Sequence, residues 1–398
     1  MPTRQRSGNT AHLRTPLKVA VLVDTSTSWG RRIHEGIHHY SQRHGRWQLF
    51  VEARGMEEAL ELPHGWRGDG VIARVASRSM ASELSGVGIP VVNVSGIQLQ
   101  GVTFPQVTND LVASARVAAD HFLDRGFRSF AYFSLQGLEY VAKHQQAFCE
   151  SVSKSGFPCA VLAVEPVHGA EPEWNLDVAK LGAWLKPLPK PVAVLTWNPS
   201  SAREIIFASQ AANLLVPEDV AVLSGTDDKL LCELLDVDIS ALLVGAETIG
   251  FEAARILDHL MSGQKGPKKP VLVPPAGVVT RQSTDTLAIS DRAVVKAVSF
   301  IRENLSQPLH VAEIARHAGV SRRVLERRFQ QHLTRTPAEE IRRVRLRRAQ
   351  ALLLDTDMPI PELSEAAGFG SPEYMAYVFR QECNMTPVEY RRRVTSRR

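Results

Sequence analysis

The stretch VAEIARHAGVSRRVLERRFQQHL, residues 311–333, decides how the chain is read. Val311, Ile314 and Ala315 mark one face of a short helix, and Gly319 supplies a residue free to take positive φ in a tight turn. Ser321 is a good N-cap, and a second helix follows at once with Val324, Leu325 and Phe329 facing inward. Arg322, Arg323, Glu326 and Arg327 are left on the outer face. Two helices joined by such a turn, with arginines on the second, suit insertion into a DNA major groove.

The same grammar recurs in IPELSEAAGFGSPEYMAYVF, residues 360–379. Ile360, Leu363, Ala366, Gly368 and Phe369 take the places of the first helix and its turn. Ser371 caps, Pro372 suits a first helical turn, and Tyr374, Val378 and Phe379 are expected to pack. Between the two units, AEEIRRVRLRRAQALLL (338–354) predicts a long helix with Ile341, Val344, Leu346, Ala349, Leu352 and Leu353 inward. Such a helix joins the two units rigidly, so both can reach successive major-groove segments of one duplex face. The charge agrees: from Ala288 onward there are 20 Arg and Lys against 13 Asp and Glu, leaving 27 against 29 before it. A basic tail on a near-neutral body points to a polyanion partner, double-stranded DNA.

Upstream the pattern is different. Apolar runs LKVAVLVD, WQLFVE, GVIARV, IPVVNV, SFAYFS, CAVLAVE, PVAVLTW and VAVLSG alternate with helical stretches, among them Trp29–Tyr40, Ala113–Asp124, Ser201–Asn213 and Ala246–Met261. Valine-rich runs without period-2 alternation suit strands buried on both faces, hence parallel sheets. Repeated βαβ units in two clusters predict two doubly wound lobes with a ligand in the cleft between them. The expected organisation is an arm over 1–16, a sensor over 17–281, a linker over 282–290 and a helical reader over 291–393.

Cys149, Cys159, Cys232 and Cys383 form no C-x-x-C pair and read as reduced thiols. No run approaches the roughly eighteen apolar residues of a membrane span, and the opening residues carry no apolar leader. The chain therefore reads as cytoplasmic, with no membrane partner.

The reader residues resemble the arabinose-regulator (AraC/XylS-type) family of activators over about Asp291 to Arg393, in the order AEIARHAGVS, VLERRF, TPAEEIRRVRLRRAQALLL, IPELSEAAGF and TPVEYR. The resemblance implies base contacts from Arg322, Arg323, Glu326 and Arg327 after the Ser321 cap, and from Glu373, Ala376 and Tyr377 after Ser371. The upstream passages VTNDLVASARVAADHFLDRGFRSFAYFS and LLVPEDVAVLSGTDD resemble the lactose-repressor-type sensor, which shares the fold of periplasmic sugar-binding proteins. A small-molecule sugar effector is implied, xylose or a related sugar, in a cleft at the C-terminal strand ends. The residues placed there are Asp24, Ser28, Trp29, Arg74, Asn198 and Asp227, with Trp29 able to stack on a pyranose ring. Three positions depart from the related pattern: His144 stands for an arginine, Pro199 for an aspartate and Gly30 for a carboxylate. RNA polymerase and a second copy of the chain are the remaining implied partners, and activation is the implied outcome.

HEGIH, residues 34–38, matches the zinc-protease pattern H-E-x-x-H, but it lies on a sheet-covering helix with no third ligand nearby in sequence. No G-x-S-x-G, P-loop or G-x-G-x-x-G is present, so no catalytic residue, metal or cofactor is assigned. A transport receptor is opposed by the basic tail, and a repressor without a sensor remains the third alternative.

Overall fold

The computed structural model describes residues 16–44, 47–53, 60–164, 178–288, 291–305, 307–383 and 385–395. The expected arm over 1–16 lies outside these but for Pro16, as does part of the short helix expected before GVIARV.

In chain order, β1 (Leu17–Leu22), α1 (Ser28–His44), β2 (Trp47–Val51), β3 (Gly70–Ala73), α2 (Arg78–Gly86) and β4 (Val91–Asn93) build the first lobe. Its four strands run parallel in the order β2-β1-β3-β4. The runs of β1 and β3 are buried on both faces, Val19, Val21 and Ile72 entering one core cluster and Ala20, Val71 and Ala73 the other, whereas edge strand β2 leaves Phe50 and Val51 exposed. After β5 (Val107–Asn109) the chain crosses into the second lobe. There it forms α3 (Leu111–Leu123), β6 (Ser129–Leu135), α4 (Glu139–Lys154), β7 (Cys159–Val164), α5 (Val178–Leu185), β8 (Val192–Thr196), α6 (Pro199–Ala211), β9 (Val220–Ser224), α7 (Lys229–Cys232) and β10 (Ser240–Leu243).

The chain then returns. Helix α8 (Ala246–Met261) packs on α1 in the first lobe, where each helix offers a glycine to the other's backbone. A Cβ at Gly36 would sit 1.9 Å from the Glu247 carbonyl oxygen, and one at Gly250 would sit 2.1 Å from that of Ile33. β11 (Val271–Val273) pairs with β5, and β12 (Gly277–Val279) closes the second lobe's sheet, β12-β10-β9-β8-β6-β7. Parallel sheets were expected; β12 is an antiparallel edge on β10. The linker expected at 282–290 also starts later, because Ser283 and Thr284 are fully buried within the second lobe.

The rest is helical: α9 (Arg292–Glu303), α10 (Val311–His317), α11 (Arg322–Leu333), α12 (Pro337–Asp355), α13 (Ile360–Ala366), α14 (Pro372–Cys383) and α15 (Pro387–Thr395). Gly319 and Gly368 hold φ of 72° and 83° in the two turns, a conformation that glycine takes without penalty. Each helix-turn-helix unit has its own core, one around Ile314, Leu325 and Phe329, the other around Leu363, Val378 and Phe379. Helix α12 contributes to both, starting from a capping box in which Thr336 and Glu339 satisfy each other's backbone. One expectation fails: Tyr374 is 45% exposed, and Met375 fills the core instead. The buried stripe of α14 is 375, 378 and 379, which puts 374 on the solvent side.

Candidate effector cleft and nucleic-acid face

A cavity of about 310 Å³ lies between the lobes at the C-terminal ends of the parallel strands. Asp24, Ser28 and Trp29 follow β1, Arg74 follows β3 and Asn198 follows β8, and all five line it. Asp24 is already supplied with donors: the Thr27 amide at 3.1 Å and hydroxyl at 2.7 Å, and the Ser26 hydroxyl at 3.4 Å. Asn198 caps α6, its Oδ1 accepting from the Ser201 amide at 2.9 Å, while Pro199 fills the first helical position.

Asp227 is placed elsewhere. It is buried, outside the cavity wall, and bridges Arg281 at 3.0 Å and Arg32 at 3.3 Å. Arg281 belongs to the second lobe's closing segment and Arg32 to α1 of the first, so Asp227 ties the lobes together. Its neighbour Asp228 takes the wall position and receives the Ser28 amide at 3.3 Å. With the Ser28 hydroxyl donating to the Asp227 carbonyl at 2.9 Å, this edge of the cleft is clasped.

Sequence reasoning missed Asn109, Tyr140 and Trp197 on the wall. Asn109 ends β5, a three-residue strand with no apolar run to announce it. The Asn109 Oδ1 and the Trp29 indole N–H are buried without a hydrogen-bond partner among the described residues. His144 does not take over the role of the arginine it replaces. Its Nδ1 meets the Tyr132 hydroxyl at 2.8 Å, its ring stands edge-on to Trp197, and burial lowers its pKa to about 4, leaving it a neutral backing to the wall. Gly30 cannot carry a carboxylate on this backbone, since a Cβ there would lie 2.0 Å from the Asp24 carbonyl oxygen. In HEGIH, His34 bonds the Val23 carbonyl at 3.1 Å, and Gly36 is the α8 contact described above. Among the described residues no three His, Cys, Asp or Glu are grouped to hold a metal ion.

Helix α3 runs from this cavity to the reader. Thr108, Asn109 and Leu111 line the cavity at its start. At its end Asp124, 20% exposed, is gripped by three reader arginines: Arg343 and Arg347 directly, and Arg335 at 3.7 Å. The Asp124 carbonyl also accepts from Arg335 at 2.7 Å, and Arg128 donates to the His332 carbonyl at 2.7 Å. Arg125 holds the connector: it donates to the Thr284 carbonyl and the Thr280 hydroxyl, at 2.9 and 3.0 Å, and accepts from the Ala288 amide at 2.8 Å. The Arg125 guanidinium also donates to His121 Nδ1 at 3.1 Å, which leaves His121 Nε2 as the donor to the Thr284 hydroxyl. Burial together with the Arg125 charge holds that imidazole neutral.

The docked side of the reader is the C-terminal end of α11 and the start of α12. The N-terminal half of α11 stays free. Ser321, Arg322, Arg323 and Arg327 are exposed, and Ser321 caps the helix by accepting from Val324. Arg322 is held by Glu326 at 2.8 Å, and no ion pair engages Arg323 or Arg327 among the described residues. On α14, Glu373 and Tyr377 are exposed, Ala376 is half-buried, and Ser371 accepts from the Tyr374 amide at 3.2 Å. Tyr374 and Tyr377 stack on the same open face.

Comparison with known proteins agrees with this division. Residues 18–116 match the family profile described as a XylR N-terminal domain, 119–284 a periplasmic binding protein-like domain, and 314–393 a helix-turn-helix domain. The xylose operon regulatory protein of Haemophilus influenzae is 30% identical over 94% of this chain and 98% of its own length. That of Escherichia coli K12 is 28% identical over 94% and 96%. A solved structure of the xylose-binding transcription activator XylR aligns with a TM-score of 0.61 at 27% identity, covering 95% of this chain and 98% of its own.

Proposed function

The chain belongs to the family of the xylose operon regulatory proteins, and from that premise we propose that it is a cytoplasmic, sugar-responsive activator of a carbohydrate-utilisation operon. Its effector is xylose or a related sugar, held by Asp24, Ser28, Trp29, Arg74 and Asn198, with Asn109 and Asp228 added. Its operator contacts come from Arg322, Arg323, Glu326 and Arg327, and from Glu373 and Tyr377, with Ser321 and Ser371 placed to meet phosphates. It works as a homodimer that recruits RNA polymerase. The observation that carries this reading is α3, whose start lines the cavity and whose C-cap Asp124, with Arg125 after it, grips the reader and its connector.

A helix of 13 residues spans about 20 Å at 1.5 Å per residue. It moves as a unit, so a ligand that favours one lobe arrangement biases the reader's placement. The test is operator binding by the full chain, followed by fluorescence anisotropy at fixed salt, with and without each of a panel of pentoses and hexoses. Selective binding that shifts with at least one sugar is expected. Selective binding that no sugar alters would leave a repressor without a sensor.

A further inference from the structure

Resting on the reading of the C-terminal helices as a reader of duplex DNA, we propose that a cavity between its two helix-turn-helix units seats backbone phosphates of the operator, with Arg342 as the principal contact. The cavity holds about 570 Å³. Its wall includes Arg322, the first residue of α11, Tyr374 in the first turn of α14, and Arg342 and Arg345 of α12, which joins the two units. His310, the N-cap of α10, lies on the same wall, and no aspartate or glutamate among the described residues does. Arg322 is paired with Glu326 at 2.8 Å. Arg345 donates from Nη2 to the Gln307 carbonyl at 2.8 Å, and its Nε is buried without a partner among the described residues. Arg342 is half-buried, and no carboxylate among the described residues comes within 4 Å of its guanidinium. Glu339, the acid one turn before it on α12, gives its carboxylate to the Thr336 amide at 2.7 Å and hydroxyl at 2.9 Å. Arg342 and Arg345 thus bring positive charge to a wall that carries no acid.

The position selects the ligand. A duplex that receives α11 and α14 in successive major-groove segments, about 34 Å apart, turns the intervening minor groove toward the middle of the reader. That groove is only about 6 Å wide, so a sugar-phosphate strand borders it closely on each side. The cavity lies between the starts of both recognition helices, and a duplex engaged by both passes over it. A guanidinium offers a planar fork that fits a phosphate two bonds at a time. Helix α12 enters both cores, which fixes Arg342 relative to both reading helices. Such a contact sets the register and spacing of the two half-sites and reads no base.

The experiment uses the full chain and an operator duplex that it selects from a randomised pool. Single phosphates along both strands are replaced by neutral methylphosphonates, and binding is followed by fluorescence anisotropy over a range of salt. At one or two phosphates between the half-sites the replacement is expected to weaken wild-type binding about tenfold, the worth of one charge-assisted hydrogen bond. Arg342→Gln should weaken binding to the native duplex by a similar factor and lower the salt slope by about 1. It should also leave the base preferences of both half-sites as they are and make the central replacements harmless. Arg342→Lys, which keeps the charge without the fork, should recover part of the loss. Central replacements that cost no more than replacements outside the footprint would overturn the phosphate seat and leave the DNA-reading function standing. Undiminished sensitivity to them in Arg342→Gln, or a changed base preference in that variant, would overturn the assignment to Arg342. A chain that selects no duplex sequence would overturn both readings. Should Arg342→Gln fail to fold, the wild-type phosphate scan and Arg342→Lys decide.

Discussion

Replacing Asp124 by asparagine removes one negative charge from beneath three arginines while keeping the side chain's shape. Two of the three have other support: Arg335 and Arg343 reach Glu340, 1% exposed, at 2.5 and 3.1 Å, and both also reach the Asp124 carbonyl, which the substitution leaves in place. Arg347 loses most, but its side chain is 39% exposed and water can resolvate it. The cost therefore falls below the 3–5 kcal/mol of a fully buried pair with one partner removed, and above the 0–1 kcal/mol of a surface pair. About 1–3 kcal/mol is expected, or roughly five- to 150-fold in the equilibrium between docked and released reader.

Hydrogen exchange in peptides covering 121–128 and 335–347 should rise, and the factor by which effector changes operator affinity should fall by a similar ratio. Operator affinity of the freed reader, measured on the α11 contacts, should stay selective. Unchanged exchange and an unchanged effector response would refute the idea that α3 transmits through Asp124. Glu340→Gln provides the contrast: its carboxylate is buried inside the reader, so about 3–5 kcal/mol is expected from that domain's own stability.

Three other outcomes are expected. Arg323→Ala and Arg327→Ala should each weaken operator binding by about 1–3 kcal/mol and relax one base preference, whereas Arg322→Ala, already neutralised by Glu326, should cost less; equal losses at all three in a binding series would contradict the geometry. Gly368→Ala puts a Cβ 1.9 Å from the Leu305 carbonyl oxygen as well as at positive φ, while Gly319→Ala meets open space. Thermal melts should show about 1 kcal/mol lost at 319 and several times that at 368, and a reversed order would be decisive against it. Glu204, its Oε2 buried without a partner, has its pKa raised by burial from an ordinary 4.5 to about 7. The folded state then binds more protons than the unfolded one between those values, so stability falls as pH rises from about 4.5 to 7; Glu204→Gln should melt like wild type at pH 4 and higher than it at pH 8, and a pH-independent difference would exclude burial as the cause.

Much of this architecture could be read from residues. The runs at β1, β3, β8 and β9 announce buried parallel strands because neither face meets water, and Gly319 with Ser321 announces a turn because so few residues serve there. Helix α4 carries a weaker sequence signal, since Leu138 at its start provides no capping side chain. The crossing strands β5, β11 and β12 are three residues each, too short for any period. The cleft residues after β1, β3 and β8 followed from strand ends alone. Asp227 misled because its fate depends on Arg32, far away in sequence, and the Asp124 cluster was invisible because all its partners lie on another domain.

The glycine-to-backbone contact of α1 with α8 has a consequence for synthesis. The first lobe's core includes Ile249, Ala253 and Leu257 beside Ile33 and Ile37, so the opening segment of the chain has an uncovered apolar face until α8 emerges. At about 5–20 residues per second, the roughly 200 residues separating the two helices keep the ribosome occupied for about 10–40 s. During that interval the segment's apolar face has no cover, and the second lobe's sheet, whose edge strand β12 follows α8, is likewise completed only after α8 has emerged.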